Sequence, residues 1–206
     1  METAVTGVLL AGGKSRRMGE DKRFLVLGEQ TLLERALTVL RSMFQDVMVV
    51  IAQDSPPLQV DAMVVTDLVP DCGSLGGLYS GLMRATTPYI FAVACDMPFL
   101  SQSVIAQFIS RGAAADIVMA KLVGRLHPMH ALYGKRCVPV LEQMIQARQL
   151  KIQEVVSHPS LLVEYVTERD LSTVDPSGLS FSNVNTLADL EAARSLLART
   201  LPSGKP

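Results

Sequence analysis

The sequence predicts an α/β fold in which helices flank a mainly parallel β-sheet. Short apolar runs alternate with segments of helical period through most of the 206 residues, as expected for successive βαβ units. Several helical segments open on capping residues, and loops rich in glycine or charge follow several of the apolar runs. Together these features favour strands that are joined by crossover helices.

Five apolar runs are predicted to be strands, and two further segments are weaker strand candidates. The clear runs are Thr6–Leu10, Val47–Ile51, Met63–Thr66, Tyr89–Ala94 and Ile117–Lys121. The weaker candidates are His130–Tyr133 and Leu161–Val166, and their order in the sheet stays open at this point.

Five helices are predicted between and after these strands. Thr31 and Glu34 have capping-box spacing and open a helix that reaches about Met43, and Thr186 with Asp189 opens the last helix, which reaches about Ala198. The other three are a helix over about Leu75–Ala85, one capped by Ser101, and one with Pro139 in its first turn that ends near Arg148.

Length and composition predict one domain over residues 1–200 with a loose tail at 201–206, and a cytoplasmic protein. The net charge of −1 gives no field that would hold nucleic acid or an anionic membrane. No apolar stretch approaches the roughly 18 residues of a membrane span, and no secretory signal is seen. The three cysteines fit neither a disulfide framework nor a zinc site, and Cys95 is expected in the core.

A glycine-rich loop directly after the first strand is the most informative stretch. It begins Leu10-Ala11-Gly12-Gly13, and paired glycines let backbone N–H groups converge closely on an anion. The loop then carries five cations against two acids, namely Lys14, Arg16, Arg17, Lys22 and Arg23 against Glu20 and Asp21. This combination suits a polyanion such as a nucleoside triphosphate, with an ordinary solvated turn as the alternative interpretation.

Two familiar phosphate-binding motifs are excluded by spacing. A Walker A motif needs a glycine five positions before Gly13, where this chain has Val8. A dinucleotide fingerprint needs two glycines separated by one residue, and the chain contains no such pair. Kinase-like and NAD-binding functions are therefore disfavoured.

Two acids follow predicted strands at the edge where open α/β sheets bind ligands. Asp96 follows Tyr89–Ala94, and a single well-placed carboxylate is an adequate protein ligand for Mg²⁺ when phosphates and waters complete the shell. The alternative for Asp96 is a turn or helix cap before Ser101. Asp67 follows Met63–Thr66 and either contacts ribose or base or caps the turn around residues 71–73.

With these residues in view, the loop resembles that of molybdenum cofactor guanylyltransferases. The match covers its Leu-Ala-Gly-Gly opening and its Arg-Arg-Met-Gly-Glu-Asp-Lys close, and four later segments agree in order and approximate spacing. Those segments are Gly73-Ser74-Leu75-Gly76-Gly77, Cys95-Asp96-Met97-Pro98, His127-Pro128 and Asn183-Val184-Asn185-Thr186. The resemblance implies a Rossmann-like three-layer nucleotidyltransferase fold and transfer of GMP from GTP to Mo-molybdopterin, with Mg²⁺ required and pyrophosphate released.

The resemblance also implies a role for each matching position. Nucleotide contacts fall on Leu10, Ala11, Gly12, Gly13, Lys22, Asp67 and Asp96, with Asp96 also binding the metal. Lys22 and Arg16 would join Asp96 in stabilising the charge that develops on the phosphates. Asn183 and Asn185 fall on the pterin side, where amide groups can read a heterocycle edge, and pre-helix capping is the alternative for Asn185. Proteins that deliver molybdopterin and molybdoenzymes that receive the product are candidate partners.

Two departures and several rival functions accompany this resemblance. The family often has Asn where this chain has Ile51, which leaves base recognition to backbone groups or Gln53, and it often has Pro at the position of Ser74. The rival functions are the cytidylyltransferase for the same pterin, which usually carries Ala at Gly12, a sugar-phosphate nucleotidyltransferase, and a non-catalytic nucleotide-binding module. His127 and His130 have HxxH spacing but no third metal ligand nearby, which favours structural or substrate-facing roles.

Overall fold

The computed structural model describes residues 4–12 and 21–200, which form a seven-stranded sheet between two layers of helices. The sheet strands are β1 (Val5–Leu10), β4 (Val47–Ile51), β5 (Met63–Thr66), β6 (Tyr89–Ala94), β7 (Ile117–Leu122), β8 (Arg125–Gly134) and β9 (Val163–Val166). A separate two-stranded hairpin consists of β2 (Val26–Leu27) and β3 (Gln30–Thr31). The helices are α1 (Leu32–Met43), α2 (Gly73–Arg84), α3 (Gln102–Ile109), α4 (Val138–Gln146), α5 (Glu168–Leu171) and α6 (Leu187–Thr200). The predicted 201–206 tail lies outside the described residues.

The strand order is β5-β4-β1-β6-β8-β7-β9, and only β8 runs against the other strands of this described sheet. The mainly parallel sheet predicted from the alternating pattern is therefore confirmed. From β1 the chain moves outward to β4 and β5, then returns to place β6 on the other side of β1. This reversal makes a crevice at the carboxyl ends of β1 and β6, where ligands of such sheets bind.

Two apolar clusters cover the two faces of the sheet. One packs α1 and α3 against it, and the other packs α2 and α4. Along β1, Leu9 belongs to the first cluster while Val8 and Leu10 belong to the second, as the alternation of side chains on a strand requires. A third, smaller cluster joins the hairpin to α6 through Leu27, Leu32, Val184 and Leu190, among others.

Local signals explain most of the element boundaries. Both predicted capping boxes are present: Thr31 and Glu34 open α1, while Thr186 and Asp189 exchange the equivalent bonds before α6. The predicted helix after Ser101 is present as α3, but the prediction that the Ser101 side chain caps it is wrong. The Ser101 hydroxyl forms a hydrogen bond with the Ser103 hydroxyl instead of the helix backbone.

Strand β8 is longer than its prediction and has an irregular register. The sequence predicted only residues 130–133, but the strand extends over ten residues and pairs with both β6 and β7. Against β7 the pairing jumps from Ala131 to His127, so that three residues of β8 bulge out of the ladder. Within the described ranges no helix is long and apolar enough to cross a membrane.

Candidate functional site

Most of the predicted site residues that the structure describes line one cavity at the carboxyl ends of β5, β4, β1 and β6. Its volume is about 840 Å³. Of the residues predicted from the sequence, its walls include Leu10, Ala11, Gly12, Lys22, Asp67, Asp96 and Asn183. Gly13 and Arg16, together with Lys14 and Arg17, lie outside the described residues, so their predicted roles stay predictions.

Backbone hydrogen bonds hold the start of the glycine loop beside the loop after β6. The Cys95 N–H donates to the Leu10 carbonyl at 3.2 Å, and the Ala11 N–H donates to the Val50 carbonyl at 2.8 Å. Gly12 follows directly, and a Cβ built on it would lie 3.1 Å from the Ala52 nitrogen. Glycine at this position therefore lets β1 end in close contact with the backbone that leaves β4.

Lys22 and Asp96 meet across this crevice. The Lys22 Nζ lies 3.8 Å from Asp96 Oδ2, and both side chains are mostly covered, with 18% and 19% of their surface exposed. Burial raises the pKa of the Asp96 carboxyl, while the Lys22 charge and a hydrogen bond from Asn183 oppose that rise in part. A partly desolvated carboxylate beside an ammonium is a suitable place for a divalent cation to join an anionic ligand.

Asn183 and Asn185 contact these same two groups. The Asn183 Nδ2 donates to Asp96 Oδ1 at 2.9 Å, and the Lys22 ammonium donates to Asn185 Oδ1 at 2.9 Å. The alternative role of Asn185 as a side-chain helix cap is not observed, because the Thr186 hydroxyl accepts the capping bond from Asp189 N–H. Similarly, the Asp96 side chain faces Lys22 and Asn183 instead of capping the turn before Ser101.

Asp21 and Arg23 form a pair whose structure differs from the sequence interpretation. The sequence argument counted Arg23 among the cations available to an anion, but its Nε and Nη2 donate to the Asp21 carboxylate and only 5% of the residue is exposed. Burial raises the pKa of Asp21, yet the hydrogen bonds from Arg23 outweigh it and the net pKa is lowered. Asp21 also accepts from the Arg23 N–H and so caps the short 3₁₀ turn that begins at Lys22.

Asp67 lines the cavity, and its side chain bonds residues other than those of the turn around residues 71–73. Its Oδ1 accepts from the Val69 N–H at 3.0 Å and from the Ser80 hydroxyl at 2.7 Å. A Cβ on Gly76 would lie 2.9 Å from the other carboxylate oxygen, so a glycine is needed for this close approach. The Gln53 amide donates to the Asp67 carbonyl at 3.0 Å, which leaves its oxygen at the cavity rim.

The two histidines do not form a metal pair. His130 is wholly buried among Phe91, Phe108 and Phe181, with ring centroids 5.3, 5.5 and 4.6 Å away. Burial lowers the pKa of His130 to about 3, although a backbone group of Ser180 and the charge of Asp175 act in the opposite direction. In the part of the chain that is described, no group of three or more His, Cys, Asp or Glu side chains is arranged to hold a metal.

Some cavity residues were not identified as site residues from the sequence. Asp54, Asp71 and Ser74 line the cavity, and Met129 contributes from the bulged part of β8. The first three lie in loops that follow predicted strands, so their place at this sheet edge could have been predicted. No such signal exists for Met129, because the predicted length of its strand was too short. Cys95, expected in the core, packs against it and also lines the cavity, and burial raises the pKa of its thiol to about 12. It is therefore a poor nucleophile at neutral pH.

The fold and the site together define a nucleotide-binding α/β protein of the transferase type, in which the carboxylate of Asp96 lies beside the ammonium of Lys22 at the switch point of a mainly parallel sheet. The family model described as "MobA-like NTP transferase domain" matches residues 7–161. The chain belongs to this family. The resemblance drawn from the loop motifs is thereby confirmed, as is the nucleotidyltransferase class.

Individual relatives agree with this assignment. The molybdenum cofactor guanylyltransferase of Desulfosudis oleivorans is 36% identical over 94% of this chain and 96% of its own length. The crystal structure of molybdopterin-guanine dinucleotide biosynthesis protein A from Archaeoglobus fulgidus superposes with a TM-score of 0.83 at 26% identity, over 95% of this chain and all of that one. Rv0371C of Mycobacterium tuberculosis H37Rv, solved with manganese, has the same fold at a TM-score of 0.61 and 20% identity, over 80% and 88%.

Proposed function

We propose that this protein transfers GMP from GTP to Mo-molybdopterin, forming the guanine dinucleotide cofactor and pyrophosphate. The observation that carries the proposal is the meeting of Lys22 and Asp96 at the crevice between β1 and β6. The reactions named for the relatives from D. oleivorans and A. fulgidus support this choice of substrates.

The donor set at this crevice fits Mg²⁺. Asp96 offers a carboxylate oxygen, the kind of ligand that Mg²⁺ prefers, beside a cavity large enough for a triphosphate. Mg²⁺ needs few further protein ligands when phosphates and waters fill its remaining coordination positions. When bound, the ion would neutralise phosphate charge and make the α-phosphorus more electrophilic. The manganese in the mycobacterial neighbour supports a divalent cation in this fold.

The roles of the other described residues follow from their positions, and those of Gly13 and Arg16 follow from the family resemblance. The backbone of the glycine loop binds the phosphates through Leu10, Ala11, Gly12 and Gly13. Asp67 and Gln53 contact the nucleoside. Lys22, assisted by Arg16, binds phosphate oxygens. Asn183 and Asn185 lie on the acceptor side of this group, next to Asp96 and Lys22.

The reaction needs no protein nucleophile. A terminal phosphate oxygen of the pterin attacks the α-phosphorus of GTP in line, forming one P–O bond as the bond to the β-phosphate oxygen breaks and pyrophosphate leaves. The chain's own contribution is to hold the two substrates in this alignment and to place the Lys22 charge near the oxygens where negative charge grows. We place this reaction in the cytoplasm, with molybdopterin-delivering proteins and recipient molybdoenzymes as partners.

Titration with GTP, CTP, ATP and UTP, each with and without Mg²⁺, tests the proposal when combined with an assay of pyrophosphate release in the presence of Mo-molybdopterin. We expect GTP to bind most tightly and pyrophosphate to appear only with metal and pterin. Preference for CTP would identify the cytidylyltransferase. Turnover with a sugar phosphate in place of the pterin, or binding without any turnover, would replace the proposal with one of the other two functions.

A further inference from the structure

The loop that carries Asn183 and Asn185 is built into the nucleotide side of the site. The Val184 N–H between them donates to the Asp96 carbonyl at 2.8 Å, and the Val184 side chain is buried in the cluster that joins the hairpin to α6. On the other side, the Asp189 carboxylate accepts from the Asn185 N–H at 2.8 Å. The loop is therefore fixed at both of its ends.

The orientation of each amide follows from its partner. A lysine ammonium can only donate, so the Asn185 atom that faces Lys22 must be the amide oxygen. An ionised carboxylate only accepts, so the Asn183 atom that faces Asp96 must be the amide nitrogen. The two atoms left for another ligand are then the oxygen of Asn183 and the nitrogen of Asn185.

These contacts bear directly on Lys22. Its side chain is long and flexible, and a lysine loses rotamer entropy when it is held in one position. The bond to Asn185 Oδ1 places the ammonium beside Asp96 before any ligand arrives. A residue that orders the ammonium in advance reduces the entropy that nucleotide binding must remove.

We propose that Asn185 is a positioning residue for the phosphate-binding Lys22, and that it acts on the nucleotide as well as on the acceptor. This inference rests on the proposed function, because it takes Lys22 to bind the triphosphate. It departs from the family resemblance, which places Asn185 on the pterin side alone. Nucleotide affinity in the absence of any acceptor should consequently depend on Asn185.

The test is the affinity for GTP and Mg²⁺ without acceptor, measured by calorimetry on the full-length chain. We expect Asn185→Leu, which has no hydrogen-bonding group, to weaken binding about five- to tenfold, as for the loss of one charge-assisted hydrogen bond near the surface. Asn185→Gln keeps the amide oxygen on a longer stem and should return the affinity to within about threefold of the wild type. Ser182→Ala changes an exposed neighbour whose side chain makes no hydrogen bond to the described site residues, and it serves as the matched control.

The possible outcomes distinguish a failure of the positioning role of Asn185 from a failure of the proposed function. Unchanged thermal unfolding in all three variants would show that the affinities report on the site, since Asn185 is exposed and its loss leaves the core intact. Wild-type affinity in Asn185→Leu would overturn the positioning role alone. A wild-type protein that binds no nucleoside triphosphate would overturn both this inference and the proposed function.

Discussion

The ammonium of Lys22 lies 2.9 Å from Oδ1 of Asn185, which is 163 positions further along the chain. This contact closes the site, because the first loop of the fold and the loop before its last helix meet over the carboxyl end of β6. The same meeting places Asp96 within 3.8 Å of Lys22. The site around Asp96 is therefore built from an early loop and a late loop of the chain.

Removal of either charged side chain should abolish most of the turnover. In Lys22→Ala the phosphates lose a cation that is held in place, and in Asp96→Ala the metal loses its protein ligand, so we expect pyrophosphate release to fall at least about a hundredfold in each. Both side chains lie at the cavity and outside the core, so the variants should fold. Near-normal turnover in a folded variant would remove that residue from the proposed mechanism.

Gly12→Ala should weaken GTP binding through the backbone of the neighbouring strand. The new Cβ would meet the Ala52 nitrogen at 3.1 Å, so the end of β4 must shift by a few tenths of an ångström. That segment continues into Gln53, which lines the cavity and for which we propose a place at the nucleoside end. We expect a higher KM for GTP, an unchanged kcat, and a smaller effect on CTP, measured by steady-state pyrophosphate release with each nucleotide. An unchanged KM for GTP would mean that this contact has no part in base selection.

The sequence predicted the sheet better than it predicted the site. Strands β4, β5 and β6 have the predicted bounds because they are short apolar runs between strong turn signals. Strand β8 was underestimated, since the polar residues of its first half hide the period of a strand that bulges beyond the sheet. Helix α5 was missed because four residues are too few for a helical period to show.

At the site, residue types were predictable but their contacts were not. Strand ends and loop glycines identified Gly12, Asp67 and Asp96, since the carboxyl ends of parallel strands share one edge. The bonds from Asn183 to Asp96 and from Lys22 to Asn185 join positions 87 and 163 residues apart. No local pattern reports such pairs. The salt bridge between Asp21 and Arg23 is local, but charge counting alone treats both residues as solvated.

Replacement of His130 should stabilise the protein and reduce its sensitivity to acid. Burial lowers the pKa of His130 to about 3 from its ordinary 6.5, so the folded protein keeps the ring neutral while the unfolded chain takes up a proton below about pH 6.5. The stability that depends on this difference is complete above pH 6.5 and is lost as the pH falls towards 3. Wild-type unfolding should therefore take up close to one proton at this site within that window.

In His130→Leu that proton uptake disappears, and an apolar side chain replaces a wholly buried polar ring. We expect the free energy of unfolding to rise by about 1 kcal/mol at pH 7.5, with a larger gain at pH 5. Urea denaturation at several pH values measures both effects. If the free energy of unfolding of His130→Leu changed with pH between 7 and 5 as that of the wild type does, His130 would have to be protonated in the folded state as well.

Val123→Asn should stabilise the turn between β7 and β8. The two residues of this turn, Val123 and Gly124, have φ values of 49° and 72°, as a type I′ hairpin requires at both central positions. The left-handed region strains a β-branched residue, whereas asparagine tolerates it and is favoured at the first position of such turns. The Val123 side chain is 88% exposed, so its removal costs little packing.

The expected gain is about 1 kcal/mol, which corresponds to about 2–4 °C in Tm for a chain of this length. Val123→Ala removes the branch without adding asparagine's local hydrogen bonding, and its Tm should lie between those of the wild type and Val123→Asn. Gly124→Ala is the opposing control and should lower the Tm, because it places a Cβ in the same strained region. Since Glu168 accepts from the Val123 N–H in either variant, a Tm below the wild type in Val123→Asn would mean that the valine side chain itself holds the turn.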